Sequence, residues 1–149
     1  MFDLVVGSGN AHKIAELRAL LPANRIRLTP LSDLPNAIDV DESGNLYYPS
    51  NAANEVQIYD ETGALQDTIT GTGPSTLNAP RAVAVDSDGD VFVVDAGSGG
   101  RVQKFAPNGD FIEVVDSGTL MTTVAVDRSD DTLFVGTGSG SAFQVDAYD

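Results

Sequence analysis

Two side chains near the N-terminus, Lys13 and Glu16, have the types and spacing to help hold a phosphate and a metal ion. In Ser8-Gly9-Asn10-Ala11-His12-Lys13-Ile14-Ala15-Glu16 a glycine-containing turn runs into a helical pattern. Free backbone N–H groups and the helix dipole at such a junction favour an anion. Lys13 lies in the first turn, within reach of the same anion. Glu16, one turn on, offers an oxygen to a divalent cation. The same residues also serve in plainer roles: Ser8 or Asn10 as the helix cap, Lys13 as a solvated charge, Glu16 as part of an ordinary helix face. A second acidic cluster, Asp86-Ser87-Asp88-Gly89-Asp90, alternates three carboxylates around a glycine. A calcium loop needs glycine at its sixth position and glutamate at its twelfth. Here glycine is fourth and Gly97 is twelfth, so the cluster reads as a turn. The stretches Gly97–Gly100 and Gly136–Ser141 are followed by no helical pattern and read as loops between strands.

The elements that must position the first group are short. Phe2–Val6 is apolar and β-rich, a strand. Ile14, Leu17 and Leu21 recur at helical spacing, and Ala11–Leu21 is built from good helix formers. Pro22 stops that helix. Arg25–Leu28 alternates like a second strand, which Thr29-Pro30 ends. The opening is a β-α-β segment over residues 1–35.

Composition sets the outer limits. The 149 residues include no cysteine and one histidine, His12. Disulfides, thiolate metal sites, cysteine nucleophiles and multi-histidine sites are excluded. Eight Lys+Arg stand against 22 Asp+Glu, a net charge of −14. That balance argues against a nucleic-acid polymer or an anionic membrane as partner. No apolar run is long enough to span a bilayer. No basic region precedes the first apolar stretch, which argues against a secretory signal and points to the cytoplasm. The charge is uneven: residues 1–35 carry +1, and residues 36–149 carry −15.

The segment VVGSGNAHKIAELRALLP resembles the opening of the inosine/xanthosine triphosphate pyrophosphatases. The likeness continues through Leu31-Ser32-Asp33-Leu34-Pro35 and towards Glu42-Ser43-Gly44. It implies phosphate binding by Ser8, Asn10 and Lys13, magnesium held at Glu16, and a nucleoside triphosphate as ligand. The acidic catalytic segment and base-reading element that the family carries further on have no match in residues 45–149. Phosphoryl-transfer catalysis rests on several convergent charged groups. One loop and one glutamate do not supply them, so no catalytic residue is assigned.

Beyond residue 36 the chain repeats. Ala37–Asp41, Ala82–Asp86 and Thr123–Asp127 align, each followed by an Asp/Ser/Gly turn and a second β-rich run. The anchors Asp41, Asp86 and Asp127 stand 45 and 41 residues apart. A period in the forties with short strands is the signature of propeller blades. Unit one predicts strands at Ala37–Val40, Leu46–Tyr48, Val56–Tyr59 and Leu65–Ile69. Unit two predicts Ala82–Val85, Val91–Val94, Val102–Phe105 and Phe111–Val115. Unit three predicts Thr123–Val126, Leu133–Val135 and Ala142–Val145. Tyr47, Tyr48, Tyr59 and Phe105 are expected to pack between blades.

Asn78–Asp86, Gly89–Asp95, Arg101–Phe105 and Gly109–Phe111 resemble NHL-repeat β-propellers. The expected fold class is mainly β, a partial propeller of about three four-stranded antiparallel blades over 36–80, 81–121 and 122–149. The β-α-β segment precedes them. NHL propellers usually close with six blades and act as interaction platforms. Some relatives are lyases or hydrolases with a metal in the central channel, but His12 lies outside the repeats and supplies no channel histidine. The resemblance therefore implies a non-enzymatic interaction module that needs no cofactor. The alternative is a magnesium-dependent nucleoside triphosphate pyrophosphatase. Three blades leave two open sides, which predicts a protein partner or self-association, the simplest being a homodimer closing a six-bladed ring. Another way to complete unit three is for Phe2–Val6 to add its fourth strand. A truncated or chimeric chain with no evolved role is a third expectation.

Overall fold

A computed structural model describes residues 2–6, 26–30, 37–97, 99–118, 120–139 and 142–148. The chain forms two compact units, Met1–Pro35 and Asn36–Asp149. In the first, β1 (Phe2–Val6) pairs in parallel with β2 (Ile26–Pro30), Phe2 opposite Ile26 and Val6 opposite Pro30. A parallel pair needs a long crossover connection, and residues 7–25 supply the length. The second strand runs through Pro30 rather than ending before Thr29. Proline is tolerated where no ladder N–H is required of it. The expected helix over 11–21 lies outside the described residues.

The second unit contains three antiparallel sheets, each a meander in chain order. The first holds β3 (Asp39–Val40), β4 (Leu46–Ser50), β5 (Glu55–Tyr59) and β6 (Leu65–Ile69). The second holds β7 (Pro80–Val85), β8 (Val91–Asp95), β9 (Arg101–Phe105) and β10 (Phe111–Ser117). The third holds β11 (Met121–Asp127), β12 (Thr132–Ser139) and β13 (Ala142–Tyr148). This is a mainly β, β-propeller-like fold of three blades, two four-stranded and one three-stranded among the described residues. The expectation that Phe2–Val6 would complete the third sheet is not met. That strand pairs with β2 along its whole five-residue length. Strand β3 is also shorter than expected: Ala37 leaves its own sheet and bridges in parallel to Ala82. Among the described residues no helix is long and apolar enough to cross a membrane.

The aspartates at the repeat anchors are turn acceptors. Asp41 accepts from the backbone N–H of Ser43 and of Asn45, each at 2.9 Å. Asp86 accepts from Asp88 N at 3.1 Å and Asp90 N at 2.8 Å. Asp127 accepts from Ser129 N at 3.0 Å and Ser129 Oγ at 2.7 Å. Such Asx turns replace backbone partners at the hairpin tip. Gly89 sits at φ +85° in the second of them, a conformation that a side chain strains.

Alternation of side chains across each strand gives every sheet two faces. The leading face meets the next sheet and the trailing face meets the previous one. Tyr47, Val56, Ile58 and Ile69 from the leading face of sheet one pack on Val83, Val85, Val91, Val93 and Phe105 from the trailing face of sheet two. Ala82, Ala84, Phe92, Val94 and Val102 from the leading face of sheet two pack on Met121, Val124, Leu133 and Val135 of sheet three. The middle sheet is therefore buried on both sides. Each fully buried valine or leucine there contributes about 1.5–3 kcal/mol relative to exposure.

The connection from sheet one to sheet two is tied to a buried carboxylate. Asp95, 1% exposed, accepts from Asn78 N at 2.7 Å, Arg101 Nε at 3.0 Å and Gln103 Nε2 at 3.2 Å. Arg101 also donates to Pro74 O at 2.6 Å and Thr76 O at 2.8 Å. Leu77, on the same connection, is 1% exposed in the first core cluster.

Candidate functional site: the inner strands and the open sheet faces

The residues singled out for phosphate and magnesium, Ser8, Asn10, Lys13 and Glu16, lie outside the described residues. Within the described ones, chemistry collects where the inner strands β3, β7 and β11 converge. Ala37 N donates to Arg81 O at 3.1 Å, and Val83 N donates to Ala37 O at 3.3 Å. Val85 N donates to Asp39 Oδ2 at 2.8 Å. Arg128, in the turn after β11, donates to Val85 O at 2.8 Å and Val40 O at 2.7 Å, and pairs with Asp39 at 2.8 Å. One guanidinium from the third sheet thus clamps the inner strands of the first and second. The pair is charge-assisted and hence stronger than a neutral hydrogen bond. Beneath it is a groove of about 210 Å³ lined by Ile38, Asp39, Val83, Val124, Val126 and Arg128, among others.

The hairpin rim of sheets two and three is ionic. Lys104 lies 2.8 Å from Asp90 and 3.6 Å from Asp86, with its ammonium 5.0 Å from the Phe92 ring centre. Burial pulls its pKa down, but Asp90 and then Asp86 outweigh that, and the net shift is upward. Ser87 N and Oγ donate to Asp131 at 2.9 and 2.7 Å, joining the turns of sheets two and three. Those bonds hold the Asp131 carboxyl below its ordinary value. Among the described residues no group of three His, Cys, Asp or Glu is arranged to hold a metal ion. The rim carboxylates serve turns and ion pairs.

The larger feature is a pair of uncovered faces. Strand register aligns Ala84, Phe92 and Lys104 across sheet two, and Ala125, Phe134 and Ala147 at the equivalent places across sheet three. Phe92 is 6% exposed against sheet three, whereas Phe134 is 38% exposed. Val102 is fully buried, and its equivalent Val145 is 57% exposed. On the trailing side, Val85, Val91, Phe105 and Phe111 form a row across sheet two. Val40, Leu46, Tyr59 and Leu65 form the same row across sheet one. Val85 is fully buried, while Val40 is 44% exposed. Tyr47 and Phe105 are thus buried between sheets as expected, but Tyr48 and Tyr59 are half-buried on the open trailing face. Thr123, Ala125, Phe134, Val145 and Ala147 carry no charge, nor do Val40, Leu46, Tyr48, Tyr59 and Leu65, on a unit that carries −15; a carboxylate stands at the strand end of each face, Asp127 in β11 and Glu55 in β5.

The repeat alignment contains the signal for these faces, since Phe92 and Phe134 hold the same place in it. The Arg128–Asp39 clamp left no such mark, because it joins residues of different repeats.

Comparison with known proteins finds two separate likenesses. The NHL repeat family matches residues 77–105. A dITP/XTP pyrophosphatase from Rhodopirellula baltica is 54% identical over 55 residues, covering 37% of this chain and 26% of that protein. The chain therefore spans about a quarter of the length of this curated relative. Among solved structures, hydrazine synthase from Kuenenia stuttgartiensis superposes with a TM-score of 0.63 at 20% identity, over 78% of this chain and 33% of the other. Virginiamycin B lyase from Staphylococcus aureus gives 0.54 at 17% identity, over 76% and 40%. A streptogramin B lyase gives 0.53 at 16% identity, over 74% and 39%. These likenesses establish the fold, a stack of propeller-like sheets that occupies part of each longer relative.

Proposed function

We propose that the chain is a non-enzymatic interaction module built on NHL-type blades. The observation that carries this reading is the exposed apolar row on the leading face of the third sheet. Phe134 and Val145 are exposed there, at places where the second sheet buries Phe92 and Val102. Exposed, contiguous apolar surface on a highly charged protein marks a site of association. The polar groups there support the same reading, because Arg128 is engaged with Asp39 and with backbone carbonyls, and Lys104 with Asp90 and Asp86.

A second reading has its own support. The identity to a dITP/XTP pyrophosphatase favours a magnesium-dependent nucleoside triphosphate pyrophosphatase, with Asn10 and Lys13 on the triphosphate and Glu16 on the metal. One assay separates the two: the full chain is incubated with inosine triphosphate and magnesium, and pyrophosphate is measured. The interaction-module reading predicts release no faster than in a protein-free control. Magnesium-dependent release that Lys13→Ala or Glu16→Ala abolishes would establish the enzyme instead.

A further inference from the structure

We infer that the two open faces are the two halves of one interface, and that its occupant is a second copy of this chain. The inference rests on the interaction-module reading and names its partner. Twice within the chain a leading face packs on a trailing face, sheet one on sheet two and sheet two on sheet three. The same row positions are used each time: Tyr47 and Ile58 in the first leading face, Ala84 and Phe92 in the second. Their equivalents in sheet three are Ala125, Phe134 and Ala147. The trailing rows are likewise equivalent, with Val85, Val91 and Phe105 in sheet two answering to Val40, Leu46 and Tyr59 in sheet one. Among the described residues, the leading face of sheet three and the trailing face of sheet one thus keep exposed apolar side chains at places equivalent to those buried inside the stack.

A second copy supplies both complements at once. The leading face of each copy seats on the trailing face of the other, and the contact forms twice about a twofold axis, three blades plus three. Such a head-to-tail contact ends the assembly when its rotation closes. The chemistry of the faces matches. Lys104, whose ammonium is held at the Phe92 ring and rim carboxylates of sheet two, is replaced on sheet three by Ala147. The rows that meet, Ala125, Phe134 and Ala147 on one face and Val40, Leu46, Tyr59 and Leu65 on the other, carry no charge, and the carboxylates Asp127 and Glu55 stand at the strand ends of these faces. Contact between apolar faces of like-charged molecules strengthens with salt, because screening removes the repulsion and leaves the burial.

The test is the mass of the full chain by light scattering on a sizing column, across concentration and salt. Each copy weighs 15.5 kDa, and the expected species has twice that mass, its share rising with salt. Phe134→Asp blocks the leading face and Val40→Glu the trailing face. Each variant alone should run as a monomer with an unchanged far-ultraviolet β spectrum. Mixed in equal amounts they should recover the double mass, because one intact contact remains between them. A wild-type chain that stays monomeric at all salt concentrations overturns the inference, whether or not the variants fold. So does a dimer that Phe134→Asp breaks and Val40→Glu leaves intact, which signifies leading face on leading face. Either outcome leaves the interaction-module reading in place. Pyrophosphate release in the assay above removes that reading whatever the mass.

Discussion

Tyr47 and Asp41 illustrate how single contacts fix the blade edge. The Tyr47 hydroxyl donates to Asp41 Oδ2 at 3.2 Å while its ring fills the core between sheets one and two. Burial, then the charge of Asp41, pushes its pKa up to about 12 from an ordinary value of 10.0. Tyr148, bonded to Asp116 at 2.7 Å, is likewise pushed up to about 12, chiefly by that bond. A raised phenol pKa means that the folded chain favours the protonated hydroxyl. The stability it brings is complete below pH 10 and drains away as pH climbs towards 12. Urea midpoints measured across that range should fall, and should fall less steeply in Tyr47→Phe. An equal slope in the variant would show that this contact has no part in alkaline unfolding. On the sequence, Tyr47 was legible as a packing aromatic. Its bond to Asp41 was not, because that depends on the turn geometry that brings the carboxylate back over the strand.

Strands and turns were the most legible elements, since each follows from local chemistry. Strand β6 falls at the residues that the repeat predicts, Leu65–Ile69, and the Asp-anchored hairpins sit where aspartate and glycine place them. Several strands run longer than their β-rich centres, as β12 does through Ser139, because ladder bonds continue through glycine and threonine once a partner strand is in register. The exception is β3. Its short length comes from a tertiary competition, in which the edge of β7 captures Ala37 and the Asp39 carboxylate. Arg128 holds that arrangement from the third sheet. Replacing it with methionine keeps the aliphatic stem and removes the donors, and should cost about 1–2 kcal/mol. The more specific sign is local: in Arg128→Met the Val85 amide should exchange with solvent several-fold faster than the Val93 amide. Equal acceleration at both amides would point to general loosening of the sheet instead of a released clamp.

At the scale of the whole molecule, the rows exposed on sheets one and three are equivalent by register to the rows buried between the sheets. The period near forty residues made the stacking legible, but it did not say which face of each sheet is free. That needs strand register, which turns aligned residues into rows. Oxidative footprinting reads those rows directly, since hydroxyl radicals modify aromatic side chains in proportion to their exposure. Phe92 and Tyr47 should be protected at every protein concentration. Phe134 and Tyr59 should react in dilute solution and become protected together as concentration rises. Phe134 and Tyr59 reacting equally in dilute and concentrated solution would rule out a leading-on-trailing contact between copies, and so would protection of one without the other.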